Sequence, residues 1–311
     1  MKPFTSKAAR IVALVLRIAL GLFFLVSAVA KLIGIDRFEI YVFSYKFLSL
    51  NLSFLAARLV IIAEIILGIG LISCTFKRLF DSLTILMLAG FTLFLGYAML
   101  IGRTDSCQCM GSLLAIDPAR SILKNALLMV LMVVAMGVKP CPWRPRWFVW
   151  LPVLLAPFVA IFILSAPDNW LFGPADEDYG SAMFDKAIQP DGDLSTLDLT
   201  QGRHVVALLT PACHFCQMAD EKLVYIYRRN GLDSNAFVYV SHFNDTLSTG
   251  IQLDTISFHH SCYLVPFVTY AYITKLNQPM ILLVDNGQVT ATCNYRNIQE
   301  KDIVAFLRQE E

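Results

Sequence analysis

The sequence predicts a membrane protein in two parts: an all-α four-helix bundle with a fifth transmembrane helix, followed by a soluble α/β domain. Of the 311 residues, 57% are hydrophobic and 16% are charged, whereas soluble domains carry roughly 25% charged residues. The long apolar runs all precede Pro167, and the rest of the chain has the polar, alternating pattern of a water-soluble domain with short strands. The length suggests about two domains.

Five apolar runs in the first part are each close to the ~20 residues that cross a hydrocarbon layer of ~30 Å. They are Ile11 to Ile33, Leu52 to Cys74, Leu79 to Ile101, Ile122 to Val138 and Phe148 to Ser165. The first run is too long for the core of a signal peptide, and Arg17 interrupts it, so we interpret it as a retained span. These runs make the lipid bilayer the first predicted partner.

The distribution of charge predicts the orientation of the bundle. With a cytoplasmic N-terminus, the cytoplasmic segments carry Lys and Arg almost without acids, whereas the opposite loops mix them with acids such as Asp36 and Asp117. We therefore expect a multi-pass protein of the bacterial inner (plasma) membrane with an extracytoplasmic, periplasmic C-terminal domain. A net charge of +1, without a basic stripe, argues against nucleic acid as a partner.

A pair of cysteines in the soluble part, Cys213 and Cys216, follows the apolar run Val205 to Leu209. This CxxC motif at a strand-to-helix junction predicts a redox-active dithiol. The free N–H groups and dipole of the helix N-terminus favour a thiolate at Cys213 as the attacking sulfur, with Cys216, one turn later, as the resolving thiol. The alternatives are a structural disulfide or half of a zinc site, but no second CxxC pair is present to complete one, and no metal site is predicted.

A second pair, Cys107 and Cys109, lies in the loop between the third and fourth spans. Two spans separate this loop from the soluble domain, so both cysteine pairs face the same compartment whichever way the protein inserts. A CxC disulfide closes a small strained ring, and strained disulfides are the more oxidising ones. This motif therefore suits the transfer of oxidising equivalents; soft-metal binding with Met110, or two inert thiols, are the alternatives.

The remaining cysteines are less specific. Cys74 and Cys141 fall near the predicted cytoplasmic face, where thiols stay reduced. Cys262 and Cys293 lie in the soluble domain, where they could pair with each other or transiently with the CxxC dithiol. His259 and His260 are adjacent and cannot both point at one metal ion from a strand, so we interpret them as loop or surface residues.

Arg17 and Glu64 are charged residues that stand inside apolar runs. A lone charge at such a depth costs ~2.5 to 3.5 kcal/mol on insertion scales, so both should be paired or face a cavity. Their estimated depths differ by about 6 Å at 1.5 Å per residue, which a long Arg side chain spans. We expect a structural ion pair between them; a group in a proton path or quinone site is the alternative.

The membrane part resembles a known family. Arg17-Ile-Ala-Leu-Gly21-Leu-Phe-Phe-Leu, with Ala30-Lys31-Leu32 and Phe38, is similar to the first helix of DoxX-like proteins, and Glu64-Ile-Ile-Leu-Gly68-Ile-Gly70-Leu with Cys107-Gln-Cys109-Met-Gly111 resembles MauE more narrowly. The resemblance covers residues 1 to about 140. The family motif reads Cys-Gly-Cys-Phe-Gly, from which Gln108 and Met110 depart. The resemblance implies a four-helix, redox-associated membrane protein required for maturation of a disulfide-rich partner.

The soluble part resembles a thioredoxin-like domain of the TlpA and MauD type. Beside the CxxC helix, which we expect to run to about Arg229, it has an apolar run at Ala236 to Val240 and the stretch Gln278 to Val289, which is similar to the cis-proline strand and hairpin of that fold. The resemblance implies a cis bond before Pro279 and a substrate-binding role for Gln278 and Pro279; a proline that merely starts a strand is the alternative.

Two positions depart from the soluble thioredoxins. Ala207 stands where they keep a buried Asp, so a proton acceptor must come from elsewhere, with Glu221 a weak candidate. The segment Asn244 to Pro266 looks like an insertion of uncertain structure.

Together the patterns predict three regions: a MauE/DoxX-like membrane domain at 1–140, a fifth transmembrane helix and linker at 141–172, and a thioredoxin-like domain at 173–311. The function that we expect is a membrane thiol-disulfide oxidoreductase, in which the CxC and CxxC pairs relay electrons for disulfide formation or maturation of extracytoplasmic, cysteine-containing client proteins. A quinone is a candidate electron partner, and no other cofactor is expected. The alternatives are a non-catalytic assembly factor or copper-binding chaperone, or a relay that runs in the reductive direction.

Overall fold

A computed structural model describes residues 7–73, 76–102, 117–136, 147–166, 178–211, 213–243 and 262–308. The chain divides into two compact units, which we call the membrane unit (Met1–Val42 and Phe54–Ala166) and the C-terminal unit (Phe43–Ser53 and Pro167–Glu311). The predicted domain boundaries at 140 and 172 stay predictions.

The described helices of the membrane unit and its borders are α1 (Lys7–Ile33), α2 (Ile35–Phe43), α3 (Leu50–Ser73), α4 (Lys77–Leu100), α5 (Pro118–Ala135) and α6 (Trp147–Leu164). Helices α1, α3, α4 and α5 are long and apolar enough to cross a membrane, and α6 contains a shorter apolar stretch, Trp150–Leu164. Each of the five predicted spans therefore corresponds to a helix, within a few residues at each end. The short helix α2 was not predicted.

Close packing of α1 on α3 depends on two glycines. A Cβ atom added to Gly68 would lie 2.8 Å from the carbonyl oxygen of Gly21, and one added to Gly21 would lie equally close to the carbonyl oxygen of Gly68. Only residues without a side chain allow the two backbones to approach this far. Helix α6 joins the same unit through Trp150 and Ile161, which are buried in separate apolar clusters.

The C-terminal unit is a thioredoxin-like α/β domain, as predicted. Its elements are α7 (Ser181–Ala187), β1 (Arg203–Leu208), α8 (His214–Asn230), β2 (Phe237–Phe243), β3 (Tyr263–Pro266), α9 (Phe267–Thr274), β4 (Met280–Asp285), β5 (Gln288–Cys293) and α10 (Glu300–Arg308). The five strands form one sheet in the order β3-β2-β1-β4-β5. Strands β1, β2 and β3 run parallel, and β4 and β5 add antiparallel strands on the other side of β1.

Helices cover both faces of this sheet. On one face, Val206 and Leu208 of β1 are buried in a cluster with Tyr270 and Ile273 of α9 and Phe184 of α7. The alternate β1 residues point to the other face, because successive strand side chains point to opposite sides. Helix α8, which connects the parallel strands β1 and β2, covers that face and carries the CxxC motif at its first turn.

The hairpin between β4 and β5 turns at Asn286 and Gly287, as predicted from the Asp-Asn-Gly sequence. Both residues have positive φ angles, 49° and 82°, which a two-residue type I′ turn requires and which Asn and Gly tolerate best. At the opposite edge of the sheet, the segment predicted as an insertion ends in the short strand β3, which pairs with the last four residues of β2. Residues 244–261 lie outside the described part.

Candidate functional site: the CxxC motif at the end of the central strand

The CxxC motif begins at Cys213, a short segment after β1 (Arg203–Leu208), the central strand of the sheet. Cys213 is the N-cap of α8, with an extended backbone (φ −89°, ψ 117°), and its Sγ accepts a hydrogen bond of 3.3 Å from the N–H of Cys216. This N–H belongs to the first turn of the helix, where backbone donors have no intrahelical partner. The predicted position of Cys213 at a helix N-terminus is thus confirmed, and both cysteines are free thiols in this structure.

The two sulfur positions differ sharply in burial. Cys213 is half-buried, whereas Cys216 is fully buried. Burial raises the pKa of the Cys216 thiol well above its ordinary value, and its hydrogen bond with Cys213 raises it further. Cys213 is therefore the sulfur that a large partner can reach, and Cys216 stays protonated inside the domain at neutral pH.

The loop before β4 is hydrogen-bonded to Thr210, which lies three residues before Cys213. The peptide bond between Gln278 and Pro279 is cis, as predicted. The Thr210 hydroxyl donates a hydrogen bond of 2.5 Å to the Gln278 side-chain oxygen and lies 3.2 Å from the Tyr270 hydroxyl. The register Leu208 to Met280 between β1 and β4 places this loop beside the CxxC motif. The structure thus brings Gln278 and Pro279 to the dithiol, while their role in substrate binding stays a prediction.

A groove of about 240 Å³ opens next to this loop. It is lined by Phe215 of the CxxC motif, by the loop before β4 and by the loop after β5. The lining residues are Phe215, Asn277, Gln278, Pro279, Met280, Asn294, Tyr295 and Arg296.

A buried carboxyl group that the sequence analysis missed lies on α8. Ala207 is buried in β1 without any acidic function, and the weak candidate Glu221 is only partly buried. Its neighbour Asp220 is 1% exposed, and its charge raises the pKa of Tyr239 and of Cys262, although burial is the larger cause for both. The sequence does contain a signal for this group: Cys216 and Asp220 are four residues apart, which places them on the same face of a helix.

Cys262 and Cys293 are at opposite edges of the sheet. Cys262 directly precedes β3, and Cys293 ends β5. Four strand spacings of about 4.8 Å separate these edges, about 19 Å in all, whereas a disulfide needs Cβ atoms roughly 4 Å apart. The considered pairing of these two cysteines is therefore wrong for this fold. Burial, with the charge of Asp220, raises the pKa of Cys262 to about 12.

The expected ion pair between Arg17 and Glu64 does not form. Arg17 is paired with Asp81 of α4 and donates a 2.9 Å hydrogen bond to the Leu71 carbonyl oxygen. Glu64 is instead 2.7 Å from the Lys31 ammonium nitrogen. The prediction failed because the estimated depths were wrong: Arg17 lies level with Leu71, which is two turns beyond Glu64 on α3, about 10 Å along the axis.

A third buried pair, between Arg58 and Glu39 of α2, was also missed. No partner was predicted for Lys31, Glu39 or Asp81, and all three are buried. A further set of predicted residues lies outside the described part of the chain: Cys74, Cys107, Cys109, Cys141, His259 and His260.

Comparison with known proteins finds similarity to a family model and to a curated relative. Residues 9–138 match the family model of methylamine utilisation protein MauE. The match covers most of α1, all of α2 to α5 and the loop with Cys107 and Cys109, so the predicted MauE resemblance of the membrane part is confirmed. Protein TlpB of Flavobacterium psychrophilum is 30% identical over 159 residues, which are 48% of this chain and 43% of that relative. The chain thus matches less than half the length of this relative, and no solved structure gives a significant match.

Proposed function

We propose that this chain is a membrane thiol-disulfide oxidoreductase whose C-terminal unit exchanges disulfides with cysteine-containing client proteins. The observation that carries the proposal is the unequal pair at the N-terminus of α8: an accessible Cys213 that accepts a backbone hydrogen bond, and a buried Cys216 one turn away. The MauE-like membrane part and the similarity to a protein named TlpB agree with a redox function at a membrane.

The exchange proceeds in two balanced steps. The Cys213 thiolate attacks a client disulfide, forms a mixed disulfide and releases one client sulfur as a thiolate, which takes up a proton. Cys216 then loses its proton and attacks Cys213 in the mixed disulfide, which releases the second client thiol and leaves the Cys213–Cys216 disulfide. The client gains two electrons and two protons in this direction, and the reverse sequence oxidises it.

The second part of the proposal is a relay, in which electrons pass between the Cys213/Cys216 dithiol and Cys107/Cys109. Helices α5 and α6 separate the two motifs, so two membrane crossings return the chain to the same, extracytoplasmic side. Because both motifs belong to one chain, tethering raises their effective concentration to the order of millimolar where the linker spans the gap. A membrane quinone is the proposed partner of the CxC motif, on the inner membrane with the N-terminus in the cytoplasm.

Trapping the mixed disulfide tests the first part. The full-length Cys216→Ser variant in lipid nanodiscs should accumulate a disulfide between Cys213 and a client peptide, because the resolving thiol is gone. Cys213→Ser should form none, and Cys262→Ser, which removes a buried thiol outside the motif, should behave as the unchanged protein. Mass spectrometry identifies the linked cysteine. Equal trapping by Cys213→Ser would refute the role of Cys213.

The relay has a separate test in cells. Cys107→Ser should leave the Cys213/Cys216 pair in a single redox state, because its electron partner is lost, and thiol trapping on gels measures that state. Whether the pair accumulates oxidised or reduced gives the direction of flow. An unchanged redox state in Cys107→Ser would contradict the relay while leaving the exchange at Cys213 intact.

A further inference from the structure

Two aromatic side chains, Phe215 and Tyr295, are among the residues that line the groove beside the CxxC motif. The Phe215 ring is 42% exposed, and its centroid lies 5.5 Å from that of Tyr295. The buried Lys222 donates a 2.9 Å hydrogen bond to the Tyr295 carbonyl oxygen and places its ammonium nitrogen 3.7 Å from the Tyr295 ring centroid. A cation over a ring face in a desolvated position is a strong contact, so Tyr295 is held in place before any partner binds.

The loop after β5 is also held by its own hydrogen bonds. The Asn294 side-chain oxygen accepts the N–H groups of Arg296 at 2.8 Å and Asn297 at 3.2 Å. In return, the Asn297 side-chain oxygen accepts the Asn294 N–H at 2.6 Å. Such mutual Asx contacts fix the loop, and a surface that needs no ordering on binding loses less entropy when a partner docks.

The charge that lines the groove is positive. Arg296 is exposed, and it is the one charged side chain among the described residues that line the groove. The other polar lining groups are the neutral amides of Asn277, Gln278 and Asn294. An extended segment that lies here therefore meets a positive charge, the exposed ring of Phe215 and neutral amides, which can hydrogen-bond with its backbone.

The thioredoxin-like resemblance already implies that a client segment lies beside Pro279. We propose that the groove selects client segments with an acidic residue beside an apolar one, next to the reactive cysteine. The carboxylate pairs with Arg296, for which a guanidinium is suited by its planar array of donors, and the apolar side chain lies on Phe215 and Pro279. This inference rests on the proposed exchange at Cys213 and names the class of client that the same site takes.

Three activated peptides test the preference. Each carries one cysteine in a disulfide with a coloured leaving thiol and an adjacent Leu, and the next two residues are both Glu, both Gln or both Lys. The protein is the full-length Cys216→Ser variant in nanodiscs of neutral lipid, and release of the leaving thiol gives the rate. We expect the Glu peptide to react about tenfold faster than the Lys peptide at low salt and the ratio to shrink at 0.5 M salt, because screening shortens the reach of the charge.

Arg296→Glu supplies the decisive comparison and should reverse the ratio in favour of the Lys peptide. Arg228→Glu makes the same change at an exposed position near the far end of α8 and should leave the ratio unchanged. Because each ratio compares peptides on one variant, a general change in Cys213 reactivity cancels. Equal rates for all peptides, or a ratio that Arg296→Glu does not alter, would overturn this inference alone. No leaving-thiol release dependent on Cys213 with any peptide would overturn the proposed function itself.

Discussion

The membrane unit and the C-terminal unit place their polar groups in opposite ways. In the membrane unit, buried charges occur with a partner: Arg17 with Asp81, Lys31 with Glu64. In the C-terminal unit, two identical thiols one turn apart differ, one half-buried and one fully buried. A buried charge that is paired with an opposite charge contributes to the stability of the helix bundle. Two thiols that differ in burial have different reactivities. Substitutions in the first unit should therefore alter stability, and those at the dithiol should alter chemistry.

The largest effect should come from Asp81→Asn in the membrane unit. Asp81 is 1% exposed and pairs with both Arg17 and Lys77, so its neutralisation leaves two cations without their carboxylate. Breaking such a buried pair costs about 3–5 kcal/mol of unfolding free energy. Reversible unfolding of the full-length protein in mixed micelles, followed by circular dichroism, measures the loss.

Asp178→Asn is the matched control in the other unit. Asp178 pairs with Lys275, but the two side chains are 83% and 46% exposed, and exposed pairs contribute roughly 0.2–1 kcal/mol. A loss as large as that in Asp81→Asn would break the contrast between buried and exposed pairs.

The next largest effect should be in thiol labelling of the reduced, full-length protein at pH 8. We expect Cys213 to react with a maleimide about a hundredfold faster than Cys262, because only the thiolate of an accessible cysteine reacts. The raised pKa of Cys262, about 12, keeps it protonated at pH 8, and its labelling should accelerate as the pH rises. Peptide mass spectrometry gives the order of labelling.

Denaturation provides the control for this experiment, since all thiols should then label at similar rates. Mild oxidation extends it: disulfide mapping should find Cys213 joined to Cys216 and no bond between Cys262 and Cys293 within one chain. Early labelling of Cys262, or an intramolecular bond to Cys293, would show that the sheet does not separate these thiols as described.

A smaller effect should follow Gly68→Ala at the contact of α1 with α3. The added methyl group would meet the Gly21 carbonyl oxygen at 2.8 Å, and such overpacking typically costs about 1–3 kcal/mol. Gly90→Ala is the control, because a Cβ atom at Gly90 has nothing within 4 Å, and Ala is the better helix former. The same unfolding measurement compares them, and an equal response at both positions would contradict the close helix contact.

The smallest effect should come from Tyr270→Phe near the dithiol. This change removes the hydroxyl next to Thr210 but leaves the hydrogen bond between Thr210 and Gln278, so the expected loss is about 1 kcal/mol. Tyr272→Phe, at a residue 64% exposed, is the control and should be neutral. A difference scan by calorimetry measures both; a neutral Tyr270→Phe would mean that the contact contributes nothing to stability.

The elements set by local pattern were predictable. The five apolar runs gave the helices α1, α3, α4, α5 and α6, the Asp-Asn-Gly sequence gave the β4–β5 turn, and the CxxC motif after a buried strand gave the start of α8. Chain length, apolar periodicity and turn chemistry act over a few residues, so they can be recognised without a fold. The short elements α2 and β3 were not predicted, because neither has enough residues to show a clear hydrophobic periodicity.

The partners of single side chains were not predictable. Arg17 was expected to pair with Glu64 and pairs with Asp81, and the buried position of Asp220, next to the weak candidate Glu221, was not foreseen. Such contacts depend on the height of each residue along its helix and on the face that it occupies, and a displacement of one residue rotates a helical side chain by about 100°.

The sequence by itself determined that this chain has a membrane part with five apolar helices and a soluble part with a dithiol at a helix start, because these features depend on runs and motifs along the chain. Only the tertiary structure decided that Cys213 is accessible while Cys216 is not, that Cys262 and Cys293 lie at opposite edges of the sheet, and that Phe215, Pro279 and Arg296 line one groove. These facts depend on strand order and on loops brought together from distant parts of the chain. Burial, which raises the pKa of Cys216 and of Cys262, exists only after the chain has folded.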